Sequence, residues 1–170
     1  MEQQSAQAQD EPAAVTLDIG MGQGSPGASV LIPATLKISD NTEVGAIGIE
    51  VVFPHNLVSF LEVRKAIGAD ASNAEVTATV ESVVEDPEKS VAIISVTSEP
   101  GMWIPGSTVV ELVFKVEEDA LVHAVATLEP RFRATTAGES PSPILPTAVD
   151  SGVIFVGETT LIFSCLFYMH

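Results

Sequence analysis

Cysteine, basic residues and aromatic residues are all scarce in this chain of 170 residues. The one cysteine, Cys165, stands near the C-terminal end. No disulfide can form within the chain, so cysteine usage does not mark a redox compartment. Lys and Arg total 7 against 23 Asp and Glu, for a net charge of −16. A field of that sign repels nucleic-acid phosphates and anionic membrane surfaces, and no Lys/Arg cluster offers a local exception. It favours cationic partners, metal ions or neutral ligands such as sugars. It also serves the plainer end of keeping a protein soluble. Aromatics number seven Phe, one Trp and one Tyr, few for the multi-aromatic surfaces that stack sugars. His55, His123 and His170 are scattered without HxH or HExxH spacing, which speaks against zinc. There is no G-x-S-x-G elbow for a nucleophilic serine. Gly20-x-Gly22-x-Gly24 has neither a following helix nor a lysine, so it fails as a phosphate loop. The apolar stretch LIFSCLFYMH has ten residues, against about 20 for a bilayer span.

What the chain has in quantity is alternation. Hydrophobic residues make up 46% of it and charged residues only 18%, enough apolar matter for a packed core. Period-two patterning marks strands over residues 14–19, 29–38, 44–53, 57–66, 75–84, 108–116, 122–130 and 151–156. Residues 90–97 form a β-branched run that reads as buried on both faces. No segment shows a sustained helical period. Turn chemistry at Asp40-Asn41, Asp86-Pro87 and Pro105-Gly106 separates the runs. About nine strands so spaced predict an all-β sandwich or barrel. Residues 20–27, rich in Gly and Pro, read as an irregular loop. Residues 135–146, with three prolines, read as a long excursion. Pro54 cannot donate to a ladder, so the chain must leave its sheet there, to return as the next strand or to pass to a facing sheet. The expected organisation is a disordered segment over residues 1–13, a sandwich over 14–156 and an apolar tail over 157–170. The opening residues lack the basic and apolar regions of a signal peptide and read as the start of a mature exported chain.

Chemistry is harder to find. The acidic groups Glu85-Asp86-Pro87-Glu88 and Glu117-Glu118-Asp119 fall at strand ends. Calcium takes oxygen ligands, but the D-x-D-x-D-G spacing of a loop site is missing, so solvated turn charges are the reading and no cofactor is expected, with calcium at these turns as the alternative. Nothing singles out two carboxylates held across a cleft, as a glycosidase requires. Trp103, in a loop bounded by Pro100-Gly101 and Pro105-Gly106, suits a sugar platform or an interface anchor. With no other well-placed aromatic, a plug for the end of the sandwich is preferred. His55 reads as a turn residue and His123 as a strand residue.

Several stretches resemble cohesin modules. Residues 24–33, GSPGASVLIP, look like the G-x-x-G-x-x-V-x-V-P opening of that family. Residues 44–53, VGAIGIEVVF, and 57–65, LVSFLEVRK, are similar to its next two strands. So are 91–98, VAIISVTS, and 105–116, PGSTVVELVFKV, and residues 151–154, SGVI, resemble its last strand. The order is intact across residues 14–156. The resemblance implies a nine-stranded antiparallel jelly-roll β-sandwich that does not catalyse. It implies a dockerin-like protein partner held on one sheet face, in an extracellular or cell-surface assembly linked to polysaccharide breakdown. The chain departs from the family at Pro54-His55, where an Asp-Pro pair is usual, and at Gly48, where cellulosomal members carry a polar or acidic residue. Glu50, Arg64, Glu75, Thr77, Thr79 and Glu81 are the expected contact residues. They are alternating polar positions along their strands, the kind that can face a partner from one side of a sheet. The alternative is a carbohydrate-binding module with Trp103 as its stacking platform.

Overall fold

The structure, a computed structural model, describes residues 14–39 and 41–158. The segment expected to be disordered, 1–13, lies outside the described residues, as does the apolar tail beyond Glu158. Eleven strands and one short helix follow in order. They are β1 (Val15–Ile19), β2 (Met21–Gly24), β3 (Ser29–Ile38), β4 (Val44–Pro54), β5 (Val58–Lys65), α1 (Ile67–Ala71), β6 (Glu75–Ser82), β7 (Lys89–Thr97), β8 (Thr108–Val116), β9 (Val125–Thr136), β10 (Thr147–Asp150) and β11 (Gly152–Val156). One sheet has the order β10-β1-β3-β8-β5 and the other β2-β11-β9-β4-β7-β6. The result is the sandwich that the alternation predicted, in the jelly-roll form that the resemblance implied.

All nine expected strands form, and two more join them. β2 lies in the segment expected to be loop. Its glycines serve close approach rather than turning: a Cβ on Gly22 would stand 2.4 Å from Val30 Cγ1, and one on Gly24 2.5 Å from Val30 Cγ2. Without those atoms β2 can lie against β3 and pair with β11. β10 forms directly after the Pro-rich region and pairs with β1. Both added pairings are parallel, so the sheets are not antiparallel throughout. Helix α1 has five residues, too few to show a helical period. Ser72 closes it, donating its buried hydroxyl to the Gly68 and Ala69 carbonyls at 3.0 and 3.2 Å.

Pro54 acts as its chemistry requires. The β4 ladder with β9 ends at Val52, so the donor that Pro54 lacks is not missed on that side. A turn with Leu57 N–H donating to Pro54 O at 3.1 Å then carries the chain across to β5 in the facing sheet. Strand β7 departs from expectation. Only Ala92, Ile94 and Val96 are buried, whereas Val91 and Ile93 are half-buried and Ser95 and Thr97 are exposed. β7 lies in a sheet with one solvated face, and its second row of apolar residues belongs to that face.

The core fills the space between the sheets. Inward side chains of β4 (Ile47, Ile49, Val51, Phe53) meet those of β3 and β8, among them Ile32, Leu112 and Phe114, all essentially inaccessible to solvent. Phe114 is the pivot. Phe53, from the opposite sheet, meets it edge-on with ring centroids 5.3 Å apart, and Phe60 of β5 does the same at 5.5 Å. Each such pair adds to burial because a ring edge faces a ring π-cloud. Phe114→Ala removes both contacts and leaves a cavity between the sheets. It should cost about 3–5 kcal/mol of unfolding free energy in a urea titration.

Candidate docking face

Alternation that buries one row of each strand must present the other row, and on the six-stranded sheet the second row is open to solvent. Strands β9, β4, β7 and β6 set it out in register. Glu129, Val52, Val91 and Glu81 lie side by side, and next to them Arg131, Glu50, Ile93 and Thr79. Arg133, Gly48, Ser95 and Thr77 follow, then Thr135, Ala46, Thr97 and Glu75. The middle of this face is short or half-buried, with Val52, Val91 and Ile93 forming an apolar stripe.

Five expected contact residues thus come together. Glu50, Glu75, Thr77, Thr79 and Glu81 share this face. Arg64 does not. It lies on β5 in the other sheet, where its guanidinium pairs with Glu62 on the same strand. The chain crosses between sheets at Pro54, and that crossing separates Arg64 from Glu50.

Two arginines were missed. Arg131 and Arg133 follow Pro130, which was read as a strand end. The β11 ladder stops at the Gly152–Leu128 pair, so at Pro130 β9 is paired on the β4 side alone, and a proline is tolerated there. The signal was present in the continued alternation, with Ala126, Leu128 and Ala134 buried and Glu129, Arg131 and Arg133 exposed. The two guanidinium groups flank Glu50 at 3.9 and 3.5 Å. Lys89, also on this face, reaches Glu129 at 3.1 Å and Asp86 at 3.9 Å. Cations scattered along the sequence are therefore gathered by the fold. Lys89, Arg131 and Arg133 stand on this face against Glu50, Glu75, Glu81 and Glu129, so it is nearly neutral on a molecule of net charge −16.

Beyond the Thr135–Ala46–Thr97 row the face opens into a groove of about 660 Å³. Loop residues Glu99, Met102, Ala137 and Pro141 wall it. Asn73 Nδ2 donates to Glu99 Oε2 at 2.6 Å and steadies one wall. A second groove of about 300 Å³ is lined by Ala71, Gly101, Met102, Trp103 and Pro105. Trp103 is 54% exposed and so does not plug the sandwich. That role falls to its neighbour Ile104, fully buried, whose N–H donates to Val44 O at 2.7 Å. No second aromatic lines the Trp103 groove.

The remaining candidates are local structure. His55 lies in the turn after β4, with Nδ1 3.3 Å from Ser90 Oγ. His123 is not in a strand. It occupies a turn before β9 with φ +70°, its N–H donating to Val156 O at 2.7 Å. Asp86 accepts from Glu88 N–H at 3.2 Å, and Glu118 pairs with Lys115 at 3.3 Å. Among the described residues no three His, Cys, Asp or Glu side chains gather as a metal site would need. No described helix is long and apolar enough to cross a membrane.

Two outcomes follow. Trp103 emission, from the chain's one Trp, should be red-shifted and readily quenched by acrylamide in the folded protein. Glu50→Gln should change stability by less than about 1 kcal/mol in chemical denaturation, because ion pairs at exposed arginines contribute little.

No protein-family model and no curated protein matches the sequence. Solved structures do. The third cohesin ScaC of Acetivibrio cellulolyticus, in complex with the ScaB dockerin, superimposes with TM-score 0.67 at 18% identity, over 85% of this chain and 99% of that one. A type I cohesin–dockerin complex of Clostridium thermocellum gives 0.64 at 16% identity, over 84% and 99%. A non-cellulosomal cohesin of the archaeon Archaeoglobus fulgidus gives 0.64 at 14%, over 86% and 93%. The likeness extends over nearly the whole of each module, and the chain has the cohesin fold.

Proposed function

We propose that this chain is a non-catalytic module that holds a dockerin-type protein partner on the outer face of its six-stranded sheet. The observation that carries the reading is the face itself. It is regular, nearly neutral and lined with short polar and half-buried apolar side chains, on a molecule that is otherwise strongly acidic. A patch relieved of the general charge can come close to another protein surface without the repulsion that the rest of the molecule exerts. The fold supports the same reading, since solved structures sharing it include cohesins in complex with dockerins. Glu50, Thr77 and Thr79 would supply hydrogen bonds around the Val52–Val91–Ile93 stripe, with Glu75 and Glu81 at the rim. Burial on the order of 800 Å² per partner is what a stable complex of this kind needs. Arg64, on the other sheet, has no part in it. The setting implied by the resemblance is an extracellular or cell-surface assembly acting on polysaccharide.

A sugar-binding role for Trp103 draws no support from its surroundings. One exposed ring beside Met102 and Pro105 is not a stacking row. Titration calorimetry against a panel of dockerin modules tests the proposal, the panel to include those encoded alongside this chain. At least one should bind with 1:1 stoichiometry, and Ile93→Arg at the centre of the face should weaken it at least 100-fold. Retention on insoluble polysaccharide that Trp103→Ala abolishes, with no dockerin bound, would reverse the assignment.

A further inference from the structure

We infer that the outer face selects its partner by charge polarity. The partner's docking helix lies obliquely across the strands, with a carboxylate over Arg131 and Arg133 and a cation over Glu75 or Glu81, the two acids that flank the Thr77 and Thr79 rows on β6. The inference rests on the docking reading above and names the chemistry of the partner. Arg131 and Arg133 have side chains 79% and 81% exposed, and their approaches to Glu50, at 3.9 and 3.5 Å, are longer than ordinary hydrogen bonds. Two cations share one acid, and their forked donors remain available to a second carboxylate. At the other edge, on β6, Glu75 and Glu81 are exposed, and among the described residues neither has a cation within ion-pair distance. The one further acid on these rows, Glu129, is held by Lys89 at 3.1 Å. The face is therefore positive along β9 and negative along β6.

Three strand spacings and an offset of two residues separate Arg131 from Glu81 and Arg133 from Glu75, about 16 Å, which roughly eleven residues of helix would span. One strand in from β9 lies Gly48, level with Arg133 on one side and Ser95 on the other. A Cβ on Gly48 would find only Arg133 Nε, 4.0 Å away. With Ala46 next to it on the same face, this makes a notch where a helix can approach the backbone. Elsewhere the acidic molecule repels a carboxylate. Here it accepts one at a fixed end, and a helix laid the other way round meets like charges at both ends, which gives direction as well as affinity.

The experiment is a displayed library built on a dockerin module, randomised at exposed helix positions and selected against the intact chain. Bound clones should be enriched in Asp or Glu at one end of a docking helix and in Lys or Arg at the other. The double variant Arg131→Glu/Arg133→Glu should weaken those clones at least 10-fold. A fresh selection against it should lose or invert the acidic preference. Gly48→Phe, placed where there is space, should abolish capture while leaving the unfolding midpoint unchanged. Thr77→Arg serves the same end should Gly48→Phe not fold. Clones blocked by either of these variants but lacking charge polarity would overturn the inference and leave the docking reading standing. A failure to select any clone, or clones that neither variant blocks, would overturn both.

Discussion

The packing of Phe53 against Phe114, with Phe60 beside Phe114 on its own sheet, joins the two sheets, and much else depends on it. Phe53 is on β4, the strand at the centre of the outer face, and its ring is locked edge-on between the layers. Side chains alternate along a strand, so a slip of one residue would turn Ile47, Ile49, Val51 and Phe53 to solvent and bury Glu50. The cost of that inversion pins the register of β4. Through the ladders it pins β7 and β9 as well. The rows of the outer face are thus a consequence of the core. Glu50 lies level with Arg131, and Gly48 with Arg133, because the residues between them are buried.

That coupling explains how a strongly acidic chain carries a nearly neutral surface. Lys89 is far in sequence from Arg131 and Arg133, and no long local run of Lys or Arg announces them. β7 contributes Lys89 at its start, and β9 contributes Arg131 and Arg133 past its proline. Pairing on either side of β4 brings all three to one side of one sheet. The remaining surface keeps its acids. The sign of the overall charge therefore says little about the surface that meets a partner.

Much of the architecture was legible because burial on one face writes a period of two into the sequence. The nine expected strands carry it, and Pro54 marked the crossing between sheets. The failures have separate physical causes. Gly22 and Gly24 looked like loop residues because glycine at a close approach and glycine at a turn are spelled alike. Pro130 looked like an end because the side of β9 it disarms is visible only once the neighbours are known. Val91 and Ile93 looked like core because a half-buried apolar stripe on an open face has the same letters as an inner one. Trp103 and Ile104 exchanged roles, since adjacent residues point in opposite directions and size alone does not say which points inward. Arg64 was grouped with Glu50 because consecutive strands often pair, and here they belong to opposite sheets. The expected ends of the chain, residues 1–13 and the tail past Glu158, lie outside the described residues.

The sequence by itself determined that the chain makes strands, roughly where each begins and stops, and, β7 apart, which side chains of each turn inward. These are local matters, set by alternation and by the hydrogen-bonding limits of proline and glycine. Only the tertiary structure decided which strands are neighbours, and therefore which outward side chains share a surface. Arg131, Arg133, Glu50 and Gly48 become one feature through ladders between segments about 80 residues apart, and no local rule of composition or period reaches that far.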